Sequence, residues 1–136
     1  MTRPGQALTP GHAHAPALVL SEALSFWGGI DAESGRIIDR SHPDLGAGIT
    51  GTVLVMPGGR GSSSSSSVLA ECLRRGTGPA AIILSRPDPI LAVGAIVART
   101  LYGVACPIVV SAIEGLVTGV AVEVEADVTG AAVLTA

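Results

Sequence analysis

The chain has 136 residues with 48% apolar and 14% charged side chains and a formal net charge of −3. That length suits one domain with a modest core. The composition excludes a disordered chain, and without a basic stripe it excludes a nucleic-acid binder. All eight basic residues are Arg, and Phe26, Trp27 and Tyr102 are the only aromatics, so the core must be built from Val, Ile, Leu and Ala. No apolar run approaches the roughly 20 residues that span a bilayer, and the start lacks a signal-peptide pattern, so a soluble, cytoplasmic protein is expected.

Residues 1–15 are rich in Pro, Gly and His and read as a flexible N-terminal arm, with residues 16–136 as a single domain. His12 and His14 form an HxH pair in that arm, which suits either metal capture or a frayed terminus. Residues 17–20 read as a first strand. Trp27, Gly28 and Gly29 make a turn, residues 36–39 a short strand, and residues 42–46 a second turn marked by Pro43 and Gly46. Residues 52–56 form a continuous apolar strand of the kind covered on both faces.

After that strand come Gly58, Gly59, Arg60 and Gly61, then six serines from Ser62 to Ser67. Val68, Leu69, Cys72 and Leu73 follow at helical spacing, and Gly76 is a natural stop. Residues 80–84 predict a second buried strand. Pro89 opens a second helix that ends at Gly103, and residues 108–110 form a third strand. Strand, loop, helix, strand, helix, strand implies a parallel βαβαβ core with right-handed crossovers. Val120, Val122 and Val124 alternate with Ala121, Glu123 and Glu125, which predicts a half-exposed strand in a second sheet or near an edge. Residues 131–134 predict a last strand.

A serine run is often a linker. This one lies inside a βα unit, where the carboxyl end of a strand and the free N–H groups of a helix suit an anion. The chain has no Lys for a P-loop and no acidic ribose partner for a dinucleotide fingerprint. Arg60 could hold a carboxylate through two hydrogen bonds, or it could be a solvated loop residue. His42 before Pro43, and Asp31 and Asp88 in Gly- or Pro-rich turns, read as structural. Cys72 and Cys106 form no recognised metal motif and read as small buried thiols.

Phe26-Trp27-Gly28-Gly29-Ile30-Asp31, Gly35, Asp39, His42-Pro43 and Gly46 lead to Gly59-Arg60-Gly61-Ser62. Gly78-Pro79-Ala80, Pro87-Asp88-Pro89-Ile90 and Cys106-Pro107-Ile108-Val109 follow. In this order they resemble the swivel domain, or small subunit, of the aconitase X family. The resemblance implies a swivelling β/β/α fold similar to the small subunits of isopropylmalate isomerases. It implies a hydro-lyase active only with a large partner subunit that carries an iron–sulfur cluster, this chain itself binding no metal or cofactor. It further implies Ser62 as the catalytic serine, with Gly59, Arg60, Gly61, Ser63 and Ser64 binding substrate. The expected substrate is cis-3-hydroxy-L-proline. Mevalonate 5-phosphate is the alternative within the family, and a non-catalytic anion-binding or scaffold module the alternative outside it.

Overall fold

A computed structural model describes residues 1–135. Its centre is a closed barrel of seven strands: β1 (Thr2–Thr9), β2 (Gly11–Val19), β5 (Val53–Met56), β6 (Ala81–Leu84), β7 (Ile108–Ser111), β8 (Ala121–Asp127) and β9 (Gly130–Thr135). Around the barrel the order is β1-β7-β6-β5-β2-β8-β9, with β9 returning to β1. Strands β2, β5, β6 and β7 are parallel neighbours, and the remaining pairings are antiparallel. A short kinked turn, α1 (Phe26–Gly29), and a two-stranded ribbon, β3 (Ile30–Asp31) with β4 (Arg36–Ile37), fill the connection from β2 to β5.

The parallel half arises as its sequence predicts. Helix α2 (Ser65–Arg75) links β5 to β6, and α3 (Pro89–Tyr102) links β6 to β7. Strands β5 and β6 are buried at every position, because they face helices on one side and the barrel interior on the other. Leu54, Met56, Ile82 and Leu84 join Leu69, Cys72, Leu73, Leu91 and Ala95 in the layer under the helices. Val53, Val55, Ala81 and Ile83 point the other way and meet Ala13, Ala17, Val109, Val122, Val124 and Val133 inside the barrel. Ala and Val dominate there because a barrel interior has room only for small side chains.

Two expectations are corrected. Residues 1–15 are not an arm; they supply β1 and most of β2. Gly, Ala and Pro obscured the alternation, yet Ala13 and Ala17 are buried while His12 and His14 are exposed. Thr9 anchors the segment: its hydroxyl donates to the Cys106 carbonyl and accepts from Ile108 N–H, both at 2.8 Å, across an irregular register between β1 and β7. The second correction concerns β8 and β9, which join the same barrel rather than a second sheet. The fold is a mixed α/β structure whose barrel sheet has both parallel and antiparallel pairs, and β1 closes that sheet by pairing with β7 on one side and β9 on the other.

The helices touch at Gly94, where an added Cβ would lie 2.6 Å from the Ser66 carbonyl oxygen. Gly94→Ala should gain about 1 kcal/mol of helix propensity but lose about 1–3 kcal/mol to overpacking, because a backbone atom cannot rotate away. A net loss of stability, read as a lower urea midpoint, is expected. Burial pushes the Cys106 thiol up to about 12, and a thiol is a poor nucleophile without ionisation. Cys106 should therefore resist alkylation at pH 8 in the folded chain and react at once in guanidinium.

Candidate functional site

The carboxyl ends of β2, β5 and β6 share one end of the barrel, since all three strands run the same way. Three connections meet there: residues 20–29 after β2, the glycine-rich loop after β5, and residues 85–89 after β6. Together they wall a cleft of ≈ 200 Å³ in which Leu24 and Phe26 face Gly59, Arg60, Gly61 and Ser62, with Asp88 and Leu91 at the head of α3.

The glycines are demanded by close approach. A Cβ on Gly59 would collide with the Asp88 carboxylate, and Gly59 also bridges to Leu24 in parallel fashion. Gly61 has φ +96°, in the left-handed region, and a Cβ there would sit 2.5 Å from Ser25 Oγ. No other residue type fits both positions.

Ser62 opens the serine run with two bonds. Its Oγ accepts from Ser64 N–H at 3.0 Å, and its carbonyl accepts from Ser65 N–H at 3.0 Å. The hydroxyl oxygen thus satisfies one of the free N–H groups at the head of α2. Ser64, the residue just before the helix, has helical φ/ψ and makes no side-chain cap bond. Ser65 is buried, lines the cleft, and accepts from Trp27 N–H at 3.1 Å, which pins the α1 turn to α2. Ser63 is exposed, and its carbonyl accepts from Ser66 Oγ at 2.9 Å.

Arg60 is half exposed and pairs loosely with Asp39, at 3.9 Å. Hydrogen bonds from the Ser41 hydroxyl and amide, helped by desolvation-opposed attraction to Arg60, hold the Asp39 carboxyl below its ordinary range. So long and exposed an ion pair contributes little, which leaves the guanidinium free to grip a second carboxylate. Asp88 is the N-cap of α3: its Oδ1 accepts from Ile90 N–H at 2.9 Å and Leu91 N–H at 3.2 Å. Pro89 follows at the start of that helix, where its missing N–H costs nothing.

Of the residues singled out in the sequence, Gly59, Arg60, Gly61 and Ser62 come together in the cleft, and Ser63 and Ser64 do not line it. Sequence reasoning missed Ser65, which six identical serines cannot distinguish, and treated Asp88 as a turn residue only. Its place after β6, at the same barrel end as the glycine loop, was the available signal. His42 is a buried strut: Nδ1 accepts from Asp44 N–H at 3.0 Å, and Nε2 lies 3.3 Å from the Glu22 carbonyl. Asp31 accepts from Glu33 N–H and from the Ser34 hydroxyl within its own turn.

Comparison with known proteins places this architecture. Residues 2–133 match the family model of the aconitase X swivel domain. The chain is 50% identical over 103 residues to cis-3-hydroxy-L-proline dehydratase of Pseudomonas aeruginosa, covering 76% of this chain but 18% of that protein. It is 45% identical over 93 residues to the phosphomevalonate dehydratase small subunit of Methanothermobacter thermautotrophicus, covering 68% of this chain and 71% of that one. The crystal structure of Thermococcus kodakaraensis aconitase X in its holo-form superposes with a TM-score of 0.87 at 32% identity, over 98% of both chains. The chain thus spans less than a fifth of the hydroxyproline dehydratases it matches and most of the archaeal small subunits. By this match along nearly its whole length, the chain belongs to the aconitase X swivel-domain family.

Proposed function

We propose that this chain is the small, swivel component of an aconitase X-type hydro-lyase that dehydrates cis-3-hydroxy-L-proline to pyrroline-2-carboxylate in the cytoplasm, in an active site shared with a large partner. The observation that supports the reading is Ser62, which lines the same cleft as Arg60 and whose Oγ accepts from Ser64 N–H at the head of α2. Dehydration beside a carboxylate requires a base for the carbon-bound proton and positive groups for the charge that develops. Arg60 and the positive end of the α2 dipole supply the positive charge. In its ionised form Ser62 Oγ takes the carbon-bound proton and becomes the neutral hydroxyl, which returns that proton to solvent after product leaves; the Ser64 N–H that already points at it would stabilise the ionised form. The electrons of the broken C–H bond become the new double bond, and the hydroxyl departs toward groups on the partner.

Iron–sulfur clusters take cysteine thiolates. The chain's cysteines, Cys72 and Cys106, are both buried with their thiols held protonated by that burial, so its own residues do not fit a cluster. The proposal therefore assigns any cluster to the partner.

The cleft is lined by one cation, Arg60, and one anion, Asp88. That balance suits a zwitterionic amino acid better than a phosphorylated carboxylate. Mevalonate 5-phosphate is the second reading, supported by the archaeal small subunits, and it would draw its phosphate-binding groups from the partner. Co-expression with the large partner under anaerobic conditions should yield dehydration of cis-3-hydroxy-L-proline that neither chain performs alone. Ser62→Ala should lower kcat by about 10²–10⁴-fold, the usual contribution of a positioned base, and leave the complex assembled. A normal rate in that variant removes Ser62 from the chemistry. Activity on mevalonate 5-phosphate instead transfers the proposal to the second substrate, and failure to form any complex favours a non-catalytic anion-binding module.

A further inference from the structure

The HxH pair has no part in the cleft. Because β2 runs parallel to β5, with Ala17 opposite Val53, His12 and His14 lie before β5 begins, at the amino end of β2. The cleft lies past the carboxyl end of the same strand. Seven residues separate His12 from Val19, or roughly 23 Å at about 3.3 Å each.

Strand β8 runs alongside in the opposite direction, and its register sets His12 across from Glu125 and His14 across from Glu123. Their neighbours Ala13, Val122 and Val124 are buried in the barrel, so all four polar side chains stand on its outer face. His12 Nε2 lies 2.6 Å from Glu123 Oε2, a diagonal contact across the two strands. One ligand atom each from His12, Glu123 and Glu125 falls within 4.8 Å of the others. On the far side of β8, Glu123 and Glu125 sit across from Leu134 and Ala132 of β9, which bring no positive charge.

We infer that His12, Glu123 and Glu125 form a binding site for a divalent transition ion of the zinc class on the outer face of the barrel, with His14 at its border. Imidazole nitrogen and carboxylate oxygen are both zinc ligands, and imidazole favours this class over magnesium and calcium. Ligand atoms at about 2.0–2.2 Å from one ion need to be about 3–3.5 Å apart. The observed spread reaches that by small rotations of exposed side chains. A cross-strand ion pair is the plainer use of His12 and Glu123. It leaves Glu125 idle, whereas a divalent ion would engage both carboxylates together with the His12 imidazole. The two strands are interior members of a closed barrel, so the Cα frame is rigid and little ordering is needed on binding.

The test uses the full chain without a histidine tag, stripped of metal, titrated calorimetrically with Zn²⁺ at pH 7.5. Saturation at one ion per chain is expected, with a raised Tm because the ion clips β2 to β8. Co²⁺ should compete for the site, and Mg²⁺ should not. His12→Gln and the double variant Glu123→Gln with Glu125→Gln should each weaken Zn²⁺ binding by tenfold or more. Glu114→Gln, at an exposed carboxylate elsewhere, should leave it unchanged. All of these side chains are at the surface, and circular dichroism should show each variant folded. Zn²⁺ affinity that survives both substitutions, or no binding below millimolar Zn²⁺, overturns the inference. Neither result bears on the dehydratase reading, because the cleft lies at the other end of the barrel.

Discussion

Asp88 ties the cleft together. One carboxylate oxygen closes the head of α3 by accepting from Ile90 and Leu91 N–H, while the other rests against Gly59 with no space for a side chain between them. The first contact fixes where α3 begins; the second fixes how near the glycine loop can come to it. Arg60, Gly61 and Ser62 follow directly from Gly59, so their positions inherit that distance. A one-atom increase at residue 59 would push the loop away from α3 and carry Ser62 with it. The same logic recurs at Gly94, where the two helices meet over the Ser66 carbonyl, one turn from the cleft. The site is thus held by close approaches to glycine backbone, which is how a mobile-looking composition becomes a fixed geometry.

The barrel beneath gives that geometry a rigid base. Its interior is filled by Ala and Val from six strands, and its closure depends on β1, which has β7 on one side and β9 on the other. Strands β1 and β9 are tied at that seam: Met1 nitrogen donates to the Thr135 carbonyl at 2.6 Å. Closing the sheet removes edges that would otherwise expose unpaired backbone groups. It also leaves the outward faces of β2 and β8 free to carry polar clusters such as His12 with Glu123, without disturbing the helices on the other side of the molecule.

The sequence was legible where pattern and burial coincide. Residues 52–110 display unbroken apolar strands, a Gly stop after each helix and Pro89 at a helix start, and the structure follows them to within a few residues. Gly76 and Gly103 adopt the left-handed conformation that ends a helix, as their positions imply. The barrel was not legible, because closure is set by pairings between distant segments. Nothing local in residues 1–15 reveals that Thr9 will bond across to Cys106 and Ile108. In the cleft, Gly59 to Ser62 stood out by type and order. Ser65 did not, because its distinction from Ser63 and Ser64 is burial against Trp27 rather than chemistry.

The central claim is that the cleft between Gly59–Ser62 and the head of α3 receives a substrate carboxylate. A crystal structure of the chain assembled with its large partner and bound to pyrrole-2-carboxylate, a planar relative of the proposed product, tests it most directly. The account predicts the carboxylate within hydrogen-bond distance of the Arg60 guanidinium, with the ring facing Ser62 Oγ. An analogue seated wholly on the partner, with Arg60 and Ser62 turned to solvent, would contradict it.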